Sequence, residues 1–182
     1  MTPDAVPPFR FSRESRIRID ADGRVWHEGE RVEHPRLERG LLSWVDFDDE
    51  ARRYLLRNSL DWCWIAVDLA PLVARAVTFT DHGVEVTLSD DAREALDLDT
   101  VRVSPDGEVW AYVRGASLLC RFDRAAAFAL LDRAVESPDG GYALRLGEQT
   151  FPLKLLAPGE RLAPRPGGPF AVAAPSTSDR GG

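Results

Sequence analysis

The chain has 182 residues, 44% of them hydrophobic and 29% charged, which is enough to bury a core in one or two small domains without covalent staples. The formal charge is −7 and Lys154 is the only lysine, so the chain is a poor partner for nucleic acid and carries no polybasic patch for a membrane surface. No apolar run approaches the roughly 20 residues of a membrane span, the first residues lack a signal-like apolar segment, and Cys63 and Cys120 sit singly within apolar runs. A reduced, cytoplasmic setting is the expectation.

Both ends read as unpacked. Residues 1–9 include Pro3, Pro7 and Pro8, and residues 158–182 hold five prolines and five glycines. Such segments bury too little surface to offset their ordering entropy. The expected organisation is a disordered 1–9, an N-terminal unit over 10–73, a C-terminal unit over 74–157, and a disordered tail over 158–182.

In chain order, Ile17-Arg18-Ile19, Asp22-Gly23 and Val25-Trp26 predict a strand, a tight turn and a strand. Pro35 suits the first helical position, and Leu37, Leu41, Leu42 and Val45 form an apolar stripe at helical spacing. The acidic run Asp46–Glu50 is expected to end that helix as a loop. Strands follow at 54–57 and 62–67, and Pro71 closes the unit. The second unit opens with an alternating hairpin over 74–80 and 84–88. Strands are expected near 100–104, 108–114 and 117–122. Asp123 can cap a helix from Arg124 to about Glu136, with Phe128, Leu131 and Val135 on one face beside Ala127, Leu130 and Ala134. Ser137–Gly141 stops it, and strands at 142–146 and 150–155 finish the fold. Hairpin-joined strands with two helices predict an α+β class with antiparallel sheet.

One pattern recurs. Val101-Arg102-Val103, Asp106-Gly107 and Val109-Trp110 echo the opening hairpin at an offset of 84, and Tyr142-Ala143-Leu144 echoes Tyr54-Leu55-Leu56 at 88. Because the order of elements agrees as well, the expectation is an internal duplication: two similar antiparallel-sheet-plus-helix units.

Most familiar chemistry is missing. There is no glycine-rich dinucleotide or phosphate loop and no nucleophile elbow. His27, His34 and His82 lack zinc-like spacing, and Asp46–Glu50 lacks the turn glycine and terminal Glu of a calcium loop. No catalytic residue, metal or cofactor is assigned. One constellation suits binding. Strand alternation places Trp110, Tyr112 and Arg114 on one face, Arg121 lies within an apolar run, and Arg124 opens a helix at the unfavourable end of its dipole. The three arginines are candidates to surround an anion, with the aromatics stacking on its body. The alternative is that Trp110 and Tyr112 are core and the arginines pair with acids such as Asp68 or Asp123.

Four stretches resemble the bacterial domain of unknown function family 1285. These are Asp22–Gly29, Val67–Leu72, Tyr112-Val113-Arg114 continuing through Leu118 to Arg124, and Gly147 to Leu153, in the family's order. The chain departs from the family's acidic pair, holding Asp68-Leu69, and ends that segment on Leu72. The resemblance implies a duplicated α+β core with a C-terminal half like a pleckstrin-homology roll. It also implies a small, nucleotide-like ligand between the halves and a role in signalling. On this view the protein is a non-catalytic binding module with its site near Trp26, Asp68, Trp110, Tyr112, Arg114, Arg121 and Arg124. The competing expectation is an interaction scaffold that binds a protein partner through exposed tryptophans.

Overall fold

The computed structural model describes residues 13–81, 83–138 and 140–164. The tails expected at 1–9 and beyond residue 164, and His82, lie outside them. The fold is α+β and mostly strand. An N-terminal sheet contains β1 (Glu14–Ile19), β2 (Val25–His27), β3 (Glu30–Arg31), β4 (Val45–Asp48), β5 (Arg53–Arg57) and β6 (Trp62–Val67). Its order is β3-β2-β1-β6-β5-β4, with β1 and β6 parallel, and α1 (Pro35–Ser43) joins β3 to β4. The second sheet contains β7 (Leu72–Thr80), β8 (Gly83–Leu88), β9 (Arg93–Ala95), β10 (Arg102–Val103), β11 (Val109–Val113) and β12 (Leu118–Phe122). Then come α2 (Arg124–Leu131) and a small sheet of β13 (Ala134–Glu136), β14 (Tyr142–Leu146) and β15 (Gln149–Pro152). Finally β16 (Lys154–Leu155) joins the second sheet, ordered β16-β10-β11-β12-β7-β8-β9.

Local chemistry sets the helix ends. The His34 ring nitrogen accepts from the Leu37 N–H at 3.4 Å and Pro35 takes the first helical position. The Asp123 carboxylate accepts from the Ala126 N–H at 2.8 Å, a side-chain cap on an otherwise unsatisfied donor. Four expectations need correction. The two large sheets are mixed and not antiparallel throughout, because β1–β6, β10–β16 and β12–β7 pair in parallel. Val45 does not extend the α1 stripe: Val45 and Phe47 are buried while Asp46 and Asp48 are half-buried, so the period-two pattern makes a strand where a loop was expected. Helix α2 stops at Leu131, because Ala134, Val135 and Glu136 pair with Leu144, Ala143 and Tyr142. The packed face of α2 is Ala126, Ala127 and Leu130, and Phe128 is 71% exposed.

One continuous core runs from Ile19, Val25, Leu42, Phe47 and Ile65 through Leu72, Val86, Val109 and Cys120 to Leu130 and Leu144. Burying each such aliphatic or aromatic side chain stabilises by roughly 1.5–3 kcal/mol. Residues 158–164, assigned to the tail by composition, lie on this body: Ala163 is buried and its carbonyl accepts from the Tyr112 hydroxyl at 2.8 Å.

The two halves share a wiring pattern. In the first, β1 pairs antiparallel with β2 and parallel with β6, and β4-β5-β6 is a meander after α1. In the second, β10 pairs antiparallel with β11 and parallel with β16, and β13-β14-β15 is a meander after α2. Their hairpin turns share the same backbone hydrogen bonds. Gly23 N–H donates to the Asp20 carbonyl at 3.0 Å and Gly107 N–H to the Ser104 carbonyl at 2.9 Å. The Asp68 N–H reaches the Ile19 carbonyl at 3.0 Å, and the Leu156 N–H reaches the Val103 carbonyl at 2.8 Å.

The first of these turns is also the joint between halves. Gly23, at φ +72°, faces Val73 so closely that an added Cβ would lie 2.5 Å from Val73 Cγ2. Arg75 donates to the Asp22 carbonyl at 2.6 Å, and Arg121 donates to the Ala21 carbonyl at 2.8 Å.

Candidate functional site

A groove of about 370 Å³ lies where the end of β6 meets the β10–β11 hairpin and the segment after β16. Trp110 and Leu119, from the paired strands β11 and β12, form its floor with Leu156 and Leu162. Asp68 enters from the N-terminal half, Asp106 and Glu108 from the β10–β11 turn, and Glu160 from the closing segment. Alternation explains the wall: Trp110, Tyr112, Leu119 and Arg121 share one face of the β11–β12 ladder, with Trp110 opposite Arg121 and Tyr112 opposite Leu119.

The candidate residues separate into three groups. Trp110 and Asp68 line the groove. Trp26 and Arg121 lie beside it. Trp26 donates its indole N–H to Asp20 at 2.7 Å and is overlaid by Arg18 at 5.9 Å, and Arg18 in turn donates to Asp68 at 2.8 Å. Arg121, 19% exposed, holds the Ala21 carbonyl and lies 3.5 Å from Glu108 and 3.9 Å from Asp22. Its Nε is buried without a partner among the described residues.

The remaining three stand apart. Tyr112 is core, packed with Ala70 and Leu119, and burial pushes its hydroxyl above the usual phenol range. Arg114 sits at the far end of the β11–β12 hairpin in a left-handed turn (φ +57°). Its N–H donates to Glu94 at 2.6 Å and its guanidinium pairs with Asp90, whose side chain is 1% exposed. Arg124 is exposed at the start of α2. The structure therefore does not bring Arg114, Arg121 and Arg124 together. The acids proposed as their partners take others: Asp68 pairs with Arg18, and Asp123 lies 3.8 Å from Arg75.

Sequence reasoning missed Glu108, Glu160 and Leu156 at the groove, and Arg18 as the partner of Asp68. Leu156 had a signal in the sequence: it stands 88 residues after Asp68, the offset that separates Tyr54 from Tyr142, and makes a similar backbone hydrogen bond. For Asp20, burial favours the neutral acid, but hydrogen bonds from the Arg24 N–H, the Trp26 indole and the Asp22 N–H outweigh it and lower the pKa. Burial pushes the Cys120 thiol well up, so it is no nucleophile at neutral pH. Among the described residues, no group of three or more His, Cys, Asp or Glu side chains is placed to hold a metal ion. Nor is any helix among them long and apolar enough to cross a membrane. A second, broader depression lies between the β7–β8 and β14–β15 hairpins, with Arg133 over Phe79 at 5.0 Å, and contains none of the candidate residues.

A DUF1285 family protein from Silicibacter pomeroyi DSS-3 has a crystal structure similar to this one, with a TM-score of 0.64 and 25% sequence identity. The match covers 78% of this chain and 80% of that one. In fold and sequence the chain resembles the DUF1285 family. A DUF1285 family protein from Shewanella baltica OS155 shares the fold, with a TM-score of 0.55 and 18% identity over 66% of this chain and 94% of that one. No family model and no curated protein matches the chain. The four stretches that carry the DUF1285 resemblance include the Asp22-Gly23 joint, the Asp68 wall of the groove and the strand pair beneath Trp110.

Proposed function

We propose that the protein is a non-catalytic small-ligand-binding module acting in cytoplasmic signalling, with its site in the groove beside Trp110. The observation that carries the reading is a concave site with an aromatic and aliphatic floor and a few polar groups at its rim, the usual anatomy of small-molecule sites. Contributions from both halves favour a ligand that reports on, or alters, how they meet. A nucleotide-like body suits the Trp110–Leu119 floor by stacking. An anionic group has less in its favour, since the lining carries Asp68, Asp106, Glu108 and Glu160 against Arg161. Two unpaired thiols, Cys63 and Cys120, accord with a reduced compartment.

Internal duplication is part of the proposal. Its support is the matched strand pairing, the matched turn hydrogen bonds and the constant offset of 84 across the hairpin. For a pleckstrin-homology-like C-terminal half, the support is limited to the two antiparallel runs β7-β8-β9 and β10-β11-β12 followed by α2.

Native mass spectrometry of freshly purified protein, beside the same sample denatured, tests the binding reading. A small molecule carried by the native protein and released on denaturation is expected. A protein that carries nothing, and whose Trp110 responds to no small molecule, argues for the second reading, an interaction scaffold. That reading has its own observation: Trp62 and Trp64 stand edge to face at 4.9 Å under Arg13 and Arg53, near Leu60, which is 92% exposed. It predicts self-association or retention of a protein partner that is lost in Trp62→Ala.

A further inference from the structure

The ligand-binding reading can be narrowed to a class of ligand, and the narrowing rests on that reading. Trp26 and Trp110 stand 84 residues apart and hold the same place in the two halves. Each lies across its hairpin from an arginine, Arg18 in one and Arg102 in the other. In the N-terminal half the place over the tryptophan is filled from within. The Arg18 guanidinium lies 5.9 Å over the Trp26 ring and donates to Asp68 at 2.8 Å, while Asp20 takes the indole N–H at 2.7 Å. An aromatic face, a cation and carboxylates complete one another there.

The C-terminal half has the aromatic face and the carboxylates, and Arg161 lines the groove, but among the described residues no guanidinium lies over the ring. Ser104 stands in the place of Asp20, and its hydroxyl oxygen is used by the Glu108 N–H at 3.0 Å. Arg102 turns to the Asp99 and Val101 carbonyls, at 2.8 and 2.9 Å, instead of covering Trp110. Among the described residues none stacks a guanidinium on Trp110 or accepts from its indole N–H. The carboxylates converge on the same groove. Asp68 is matched by Arg18 and Glu108 by Arg121, but no described cation lies within ion-pair distance of Asp106 or Glu160. Glu160 accepts from the Ala157 N–H at 2.7 Å and so is held at the rim.

We propose that the groove takes a small organic cation, an ammonium or guanidinium carried on an apolar body, stacked on Trp110 in the place that Arg18 holds on Trp26. The aliphatic floor of Leu119, Leu156 and Leu162 receives the apolar body, and Asp106 and Glu160 face the charge.

Phenethylamine and 3-phenylpropanoate are matched in size and opposite in charge, so they separate the class of ligand from the existence of the site. The full chain is labelled with ¹⁵N and titrated with each, following the indole N–H signals of the five tryptophans. Trp110→Phe assigns the signal of interest. Phenethylamine is expected to move the Trp110 signal to saturation, at least about tenfold more tightly than the carboxylate, and to leave Trp26 unmoved. Asp106→Asn combined with Glu160→Gln should weaken it about three- to tenfold, and added salt should weaken it further. Equal or tighter binding of the carboxylate at Trp110 overturns the cation class and leaves the groove reading intact. A Trp110 signal that neither probe moves overturns the proposal; if the native protein also carries no small molecule, the groove reading falls with it.

Discussion

Gly23 and Gly107 are the same turn position in the two halves, yet they face different surroundings, so one substitution made twice isolates a contact. Both have a left-handed backbone, φ +72° and +81°, and a Cβ in that region costs about 1–2 kcal/mol at either site. At Gly107 the Cβ meets nothing within 4 Å. At Gly23 it would lie 2.5 Å from Val73 Cγ2 and 3.2 Å from Val73 Cβ. Val73 is 0% exposed and cannot swing aside, so overpacking adds about 1–3 kcal/mol. Gly23→Ala should therefore destabilise by about 2–5 kcal/mol and Gly107→Ala by about 1–2 kcal/mol. Both lose the same glycine entropy in the unfolded chain, so that contribution cancels in the comparison. Urea unfolding followed by tryptophan fluorescence measures both, with equal m-values as the check on two-state behaviour. Equal losses for the two variants would refute the tight joint between the halves.

Three further outcomes follow from the same packing. Tyr54 keeps a buried hydroxyl with no partner among the described residues, and burial pushes its pKa far above the phenol range. Tyr54→Phe keeps the edge contact with Phe47 and should be neutral or stabilise by about 1 kcal/mol in urea unfolding; a clear loss would mean that the hydroxyl is satisfied. Arg114→Ala leaves Asp90 buried without its counter-charge and should cost about 3 kcal/mol, while leaving the response of Trp110 to phenethylamine unchanged in the folded fraction. Asp20 has a folded-state pKa below its unfolded value of about 3.9. Its contribution to stability is therefore complete above about pH 4 and is lost as the pH falls through the folded value. Asp20→Asn should flatten the acid limb of a stability-against-pH profile, and an unchanged limb would argue against the Arg24, Trp26 and Asp22 hydrogen bonds.

Much of the fold was legible because local chemistry and burial agree. The Asp-Gly turns need positive φ, Pro35 and Asp123 start helices, and Trp62–Val67 is too apolar to be a loop. The missed strands lack such signals. Glu30-Arg31 and Arg93–Ala95 are short strands whose pairing comes from their neighbours, and Ala134–Glu136 continues a helical pattern until β14 claims its backbone. The site was legible only in part. Period two placed Trp110 on the right face, but a strand face says nothing of distance along it, so Arg114 was grouped with an Arg121 that faces the opposite end of the hairpin. Partner choice was equally hidden: Arg18 and Asp68 are fifty residues apart and meet only because β1 and β6 are parallel neighbours. The offset of 84 carried an unused signal, since Ser104 stands where the first hairpin has Asp20, and among the described residues nothing accepts from the Trp110 indole.

The claim that the groove beside Trp110 is a binding site is tested most directly by equilibrium dialysis of a bacterial small-molecule extract against the wild-type chain and Trp110→Ala. Retained molecules are identified by mass. The account predicts a molecule that the wild-type protein concentrates and the folded Trp110→Ala variant does not. Identical retention by the two proteins would contradict it.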